Sequence, residues 1–311
     1  PRSADAAALA TRALAQAGRW NEVITMARRW KSRLVESKFS PDHFIALAQH
    51  QLGRHDLAVE AITPYLPRIA DPAQPNPALL FLYGRAAIDA DQSHLAWQAL
   101  RPLLSDHPGV QLVWVDLAAG SLSDRQTAER WMETIDAIAG QSSRPDVRLR
   151  TARGWMECAT RFDHAPYHQR AQAIVEAMWA EGLNKTDAAF MGGLVSQAAQ
   201  RPDDAEMWYR RCLTLQNDHW PAMNNLAMVL CLQGRGLDEA ERLAMQAVKA
   251  KPEVAGFTDT LAQVQARGGR LDEAITTIKR AIELQPANFE WRINLVEFLL
   301  DAGQKAEAKE V

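Results

Sequence analysis

Residues 255–288 read AGFTDTLAQVQARGGRLDEAITTIKRAIELQPAN. Leu261 and Ala262 lie on the apolar stripe of a first segment and Ala274 and Ala281 on that of a second; Gly269 stands at the turn between them and Pro286 closes the unit. Apolar residues at i, i+3, i+4 and i+7 give each segment one sticky helical face. Such a unit cannot hide that face alone. A period of 34 residues therefore implies stacked helical hairpins rather than one globular core.

The same frame extends in both directions. Residues 220–254 repeat it with Leu226, Ala227, Gly234, Ala240, Ala247 and Pro252, and Gly236 is one extra loop residue. Residues 186–219 carry Ala205, Tyr209 and Cys212 on their second helix, and an incomplete unit after 288 carries Trp291, Leu295, Gly303 and Ala308. Toward the N-terminus, 4–37 fits through Leu14, Gly18, Trp20 and Ala27. Residues 38–66 fit through Ile45, Ala46, Gly53 and Ala58, and 77–110 through Tyr83, Gly84, Ala87, Ala96, Leu103 and Pro108. The middle is less regular: 111–140 gives a hairpin built on Trp114, Leu117 and Ala118 against Trp131, Ile135 and Ile138. Residues 145–183 give a longer one on Trp155, Ile174, Met178 and Trp179, with Pro166 starting its second helix.

This reading predicts eight helical hairpins and a partial ninth in a single array over 1–311. N-terminal repeats fill 4–66, a Pro-rich bend 67–77, repeats with an irregular middle 78–183, and regular repeats 186–311. The stretch 64–77, PYLPRIADPAQPNP, carries five prolines and cannot be regular helix. It reads as a local bend, an exposed recognition loop or a hinge between domains; the packed helix restarted by Leu79, Leu80 and Leu82 favours the bend.

Small residues such as Gly84, Ala227 and Ala262 are expected to let the helices of a hairpin approach closely, with Ala96, Ala205, Ala240 and Ala274 doing the same from the second helix. A larger side chain there would cost roughly 1–3 kcal/mol in overpacking. The turn glycine ends the first helix in a conformation other residues resist, and the proline after the second helix stops it. The acid pairs Asp238-Glu239 and Asp272-Glu273 open second helices, where negative charge suits the helix N-terminus.

Composition excludes several classes. Hydrophobic residues make up 47%, too many for a disordered chain. The net charge of −3 argues against a nucleic-acid binder, which would show a basic face. No apolar run approaches the ~20 residues of a membrane span. Arg outnumbers Lys and Ala is abundant, which points to a GC-rich, bacterial coding sequence. The chain opens at Pro1 without Met and stops at Val311 midway through an expected second helix, so it reads as a segment of something longer, and its compartment stays open between cytoplasm and periplasm. Cys158, Cys212 and Cys231 are odd in number and far apart, which shows no disulfide framework; they read as small buried hydrophobes. Seven of the ten tryptophans, Trp20, Trp30, Trp97, Trp131, Trp155, Trp179 and Trp208, sit at helical spacing among apolar residues and read as core.

The recurring positions resemble the tetratricopeptide repeat. Trp114 occupies that family's first slot, Tyr83-Gly84 its Leu-Gly pair and Tyr209 its late aromatic slot, while Pro108, Pro252 and Pro286 close units. The resemblance is strong over 4–37, 77–110 and 186–311 and weak over 111–183. It implies an all-α, right-handed α-solenoid whose first helices line an inner groove that takes an extended peptide or a partner helix. Some members of the family clamp a C-terminal carboxylate pair with Lys, Asn and Arg. Here those slots hold mostly Ala, Phe and Asn, which argues against such a clamp.

Projected in register, the first helices place Leu9, Arg12, Phe44, Phe81, Leu82 and Arg85 along the N-terminal half of the groove, then Phe190, Met191 and Leu194. The character changes to Asn224, Asn225, Asp259, Thr260, Gln263, Asn294 and Glu297. Amide side chains offer donor and acceptor together, so a ladder of them can pair with a peptide backbone without reading its sequence. Asn is also a poor helix former that solubility did not require.

Catalytic and metal motifs do not emerge. There is no phosphate loop, no His-Glu-x-x-His, no Gly-x-Ser-x-Gly and no paired cysteine ligands. His164 and His168 are four apart with Pro166 between them and no third ligand, and His43, His50 and His55 have loop-like spacing that reads as solvated. No cofactor or metal is implied. The expected function is a non-catalytic scaffold or adaptor that binds a protein or peptide. Two alternatives stand beside it: an oligomerisation or spacer module, self-associating through an apolar edge left open by 289–311, and the substrate-recruiting region of an enzyme whose catalytic domain lies outside this chain.

Overall fold

The computed structural model describes residues 4–31, 41–140 and 142–311, and every described element is helical. In chain order the helices are α1 (Ala4–Gln16), α2 (Trp20–Trp30), α3 (Pro41–Gln51), α4 (His55–Ile62), α5 (Leu66–Ile69), α6 (Pro77–Asp89), α7 (Ser93–Leu100), α8 (Pro108–Gly120), α9 (Arg125–Ala139) and α10 (Pro145–Arg161). They continue as α11 (Pro166–Glu181), α12 (Lys185–Ala198), α13 (Pro202–Leu215), α14 (Trp220–Gln233), α15 (Leu237–Ala250), α16 (Ala255–Arg267), α17 (Leu271–Leu284), α18 (Phe289–Asp301) and α19 (Lys305–Ala308). The fold class is an all-α repeat array. The repeat boundary expected at 37/38 lies outside the described residues.

Two compact units divide the chain, 1–164 and 165–311. In the first, α1–α2, α3–α4, α6–α7 and α8–α9 are hairpins, each packed on the next, and α10 lies on α8 and α9. In the second, α11 packs on α12, and α12–α13, α14–α15, α16–α17 and α18–α19 follow as successive hairpins. The division falls inside the hairpin expected over 145–183. Pro166 does open α11, as its position predicted.

Glycine supplies several of the turns, while Asp91 and Gln200 take the left-handed position between α6 and α7 and between α12 and α13. Gly53, Gly269 and Gly303 have φ of +72°, +78° and +76°, a left-handed conformation that side chains with a Cβ resist. The prolines are more varied than expected. Pro252 and Pro286 follow α15 and α17, whereas Pro108 opens α8 as its first residue, where a missing N–H leaves nothing unsatisfied. In the Pro-rich stretch, Pro64 and Pro67 sit in the first turns of short helical segments, and Pro77 starts α6, whose Asn76 cap accepts from the Leu79 N–H at 3.2 Å. Proline at a helix start costs nothing, so the stretch is a stepped descent from α4 followed by a turn at 71–76.

Close approach occurs both between and within hairpins. A Cβ built on Gly84 of α6 would lie 2.5 Å from Leu117 Cδ1 of α8 and 3.6 Å from Leu100 Cδ1 of α7. The tighter contact is thus with the first helix of the next hairpin, a correction to the within-hairpin role expected of Gly84. The opposite case is α12 against α13, where Gly192 and Gly193 face the rings of Trp208 and Tyr209 directly. The irregular middle is held by aromatic packing. Trp114 and Trp131 stack with ring centroids 4.2 Å apart, Trp97 lies 4.9 and 5.5 Å from them, and Trp114 Nε1 donates to the Trp131 carbonyl at 2.7 Å. At the C-terminal end, Ala262, Ala274, Ile278, Ala281, Leu295 and Leu299 form one buried cluster. Burying a side chain such as Ile278 contributes about 1.5–3 kcal/mol.

Second helices of neighbouring hairpins in the second unit are also joined by charge. Arg210 of α13 grips Glu239 of α15 at 2.8 Å, Arg270 at the start of α17 meets Glu241 of α15 at 2.6 Å, and Lys279 of α17 meets Glu307 of α19 at 2.6 Å. The two glutamate partners hold the Arg210 guanidinium well above its ordinary value.

Candidate functional site

The first helices of the second unit, α12, α14, α16 and α18, carry the polar residues that the sequence singled out. Registered on the turn glycines Gly234, Gly269 and Gly303, Asn225, Thr260 and Asn294 share one repeat position, and Asn224, Asp259 and Ile293 the position before it. The two positions face differently. Thr260 is only 3% exposed and its hydroxyl donates to the Gly256 carbonyl at 3.1 Å, so it is a buried helix residue without a free side of its own. Asn224, Asn225, Asp259, Gln263 and Asn294 are half-buried.

These five fall into two bonded groups. Tyr209 of α13 donates to Gln197 Oε1 at 2.9 Å and accepts from Asn225 Nδ2 at 3.3 Å, and Asn224 Nδ2 donates to Asn225 Oδ1 at 3.2 Å. Farther along, Asp259 accepts from Gln263 Nε2 at 2.9 Å and from Asn294 Nδ2 at 3.1 Å, and Trp291 also hydrogen-bonds to it. The amides read as a ladder from the sequence thus hydrogen-bond within α14 and α16 and also tie α14 to α13 and α18 to α16. Burial raises the Asp259 carboxyl above its ordinary range, against the pull of Asn294 and Gln263. Desolvation likewise pushes the Tyr209 phenol up, so it stays a neutral donor. Asn224 Oδ1 is buried and has no hydrogen-bond partner among the described residues.

The remaining sequence-selected residues lie elsewhere. Phe190 is half-buried with its ring 4.8 Å from His219 and 6.1 Å from Tyr209, beside the first polar group. Met191 and Leu194 are half-buried. Glu297 is exposed in an apolar cleft at the C-terminal end, with Phe289, Ile293 and Val311. In the first unit, Phe81 is 38% exposed, Arg85 donates to Asp89 at 2.9 Å and to Ser121 at 3.0 Å, and Leu9 is exposed. Phe44 is buried among Val23, Ile24 and Ala27, and Leu82 is buried too; their burial makes both packing residues rather than groove residues. Sequence reasoning missed Gln197 and Trp291, which complete the polar groups. Their signal lay in the packing partner rather than in any repeat pattern.

Chemistry beyond hydrogen bonding is sparse here. Cys158, Cys212 and Cys231 are all buried, and burial pushes the Cys158 thiol to about 12 and Cys212 to about 11. His164 lies against Arg125 at 3.0 Å. His50 and His55, expected to be solvated, instead touch, with Nδ1 atoms 3.1 Å apart, because the turn at Gly53 folds α4 back on α3. None of the described helices is long and apolar enough to cross a membrane.

Residues 265–311 match the family described as Tetratricopeptide repeat. No curated protein matches the chain in sequence. Among solved structures, the chain is similar to MamA from Desulfovibrio magneticus at 16% identity and a TM-score of 0.46, covering 52% of this chain and 90% of that one. A tetratricopeptide repeat protein from Parabacteroides merdae aligns at 12% identity and a TM-score of 0.48 over 83% of this chain and 97% of its own. YrrB, described as a tetratricopeptide repeat protein with an unusual peptide-binding site, aligns at 18% and 0.43 over 67% of this chain and 96% of its own. The family match is confined to the C-terminal end, residues 265–311, and the helical hairpins that precede it extend an all-α repeat array through both units.

Proposed function

We propose that the chain is a non-catalytic protein-interaction scaffold whose second unit holds an extended peptide, or a helix of a partner protein, against α14, α16 and α18. The observation that carries this reading is Asn224 Oδ1, a buried acceptor without a partner beside a line of half-buried amides. Leaving such an acceptor unsatisfied costs about 1–3 kcal/mol, and turning the half-buried Asn224 side chain outward to a peptide N–H would relieve it. Asn225, Gln263 and Asn294 each spend one donor on a neighbour and keep further amide capacity for a backbone. Phe190 and His219 offer a ring surface next to them. Phe81 and Arg85 belong to the first unit and would act there separately.

The test is selection of peptides on the immobilised 311-residue chain, followed by affinity measurement with an Asn224→Ala, Asn225→Ala double variant and with Asn294→Ala. Loss of at least about tenfold is expected from the double variant, equivalent to the ~1–3 kcal/mol above. Unchanged affinity with an intact circular dichroism spectrum would refute the assignment.

A second reading, self-association, is favoured by the outer face of α18. Phe289 is 72% exposed and Ile293 43%, around a cleft of about 600 Å³, and Leu300 farther along the helix is 50% exposed. Contiguous apolar exposure of this kind marks interaction surfaces. Light scattering across a concentration series decides it; a strict monomer at the highest concentration excludes this reading.

A further inference from the structure

We propose that His50, His55 and Asp89 form a binding site for one divalent transition-metal cation of the zinc class, joining the α3–α4 hairpin to α6. His50 is in the last turn of α3, His55 is the first residue of α4, and Asp89 is the last residue of α6. One ligand-capable atom from each lies within 4.8 Å of the others. Both imidazoles come from one short turn, whose reversal at Gly53 sets the rings 5.0 Å apart. The next hairpin supplies the carboxylate.

The spacing suits a metal. Zinc binds imidazole nitrogen at about 2.0–2.1 Å, so two such nitrogens around one tetrahedral ion stand roughly 3.3 Å apart. The His50 and His55 Nδ1 atoms are 3.1 Å apart. Asp89 Oδ2 lies 3.9 Å from His50 Nε2, so the carboxylate stands beside the imidazole pair. Two imidazoles and one carboxylate are a borderline-soft donor set that selects zinc-like ions over calcium or magnesium. His50 and His55 are both half-buried, so the two imidazoles are held in place by their surroundings. His55 and Asp89 line an open cleft of about 540 Å³ with Gly53, Asp56 and Asp91, so a cation can enter and keep solvent ligands.

Arg85 acts in two directions. Its Nε donates to Asp89 Oδ2 at 2.9 Å and fixes the carboxylate, as orienting partners do around metals. Its positive charge also opposes the ion, so the site is weaker than a fully anionic one.

The alternative for the same atoms is a plain hydrogen bond between two neutral imidazoles, and titration separates the two. The chelator-treated 311-residue chain is titrated with Zn²⁺ alone by calorimetry, and its thermal midpoint is followed. One bound equivalent and an upward midpoint shift are expected. Both should vanish in a His50→Gln, His55→Gln double variant, and Asp89→Asn should weaken binding at least about tenfold. Circular dichroism checks that the variants fold. Should the double variant unfold, nitrogen–proton spectra of the unaltered chain decide, since Zn²⁺ must shift the imidazole signals of two histidines together. Failure of the unaltered chain to bind one saturable equivalent, retention of that equivalent by the folded double variant, or spectra without the paired shift each overturn the proposal.

Discussion

Gly193→Ala adds one methyl group where α12 meets α13, and the structure fixes what it meets. The new Cβ would lie 2.6 Å from Tyr209 Cζ and closer still to Cδ1 and Cε1. Carbon atoms rest at about 3.5–4.0 Å, so the ring or the helix must retreat by about 1 Å. Tyr209 is fully buried, and its hydroxyl is tied to Gln197 and Asn225, so it has no easy escape. Overpacking of this kind costs about 1–3 kcal/mol, and weakening the phenol's hydrogen bonds adds about 1 kcal/mol. Replacing a helical glycine by alanine returns about 1 kcal/mol. The net expectation is a loss of about 1–3 kcal/mol in urea unfolding. Gly256→Ala is the control: it sits in the first turn of α16 with nothing within 4 Å of the added Cβ, so the same chemical change should leave stability equal or raise it by up to about 1 kcal/mol. A Gly193→Ala protein as stable as the parent, or a Gly256→Ala protein equally destabilised, would refute the packing argument.

Further tests address the polar groups and the aromatic middle. Because Asp259's folded carboxyl is raised above its ordinary value, the folded state binds its proton more tightly than the unfolded state does. Its contribution is therefore fully present at low pH and is lost as pH rises from about 4 through the raised folded value. An Asp259→Asn variant should lack this component in urea midpoints measured across that window; identical pH profiles would count against the burial of the charge. Trp114→Phe removes the donor to the buried Trp131 carbonyl and should cost about 1–3 kcal/mol in chemical denaturation, with a neutral result excluding that hydrogen bond. The three buried thiols, with Cys158 pushed to about 12, should resist alkylation at neutral pH and all react once the chain is unfolded, as mass spectrometry would show.

The period was legible because it is enforced locally. Gly269 and Gly303 must adopt a left-handed turn, and Ala262 and Ala274 must be small, so each repeat announces itself without reference to the rest. Proline was less informative. Pro108 can end one helix or start the next, and only the position of α8 distinguishes these. The division at 164/165 was not legible, since it depends on which neighbours α10 and α11 choose. At the polar surface, half-buried Asn225 and Asn294 share a repeat position with buried Thr260, so register and residue type alone could not separate ligand contact from helix tie. The fit of Gly192-Gly193 against Trp208-Tyr209 was not legible, because it depends on α12 and α13 facing each other. His50 and His55 looked like loop residues because linear spacing does not show the reversal at Gly53.

The ion pairs that link α13 to α15, α15 to α17 and α17 to α19 are all partly open to solvent. Each contributes at most about 1 kcal/mol and is weakened by salt, whereas the apolar seams inside the hairpins are not. Ionic strength should thus loosen the charged outer ties between rungs while the apolar packing that joins α16 and α17 to α18 persists, so the electrolyte trims the stiffness of this half of the molecule without unstacking it.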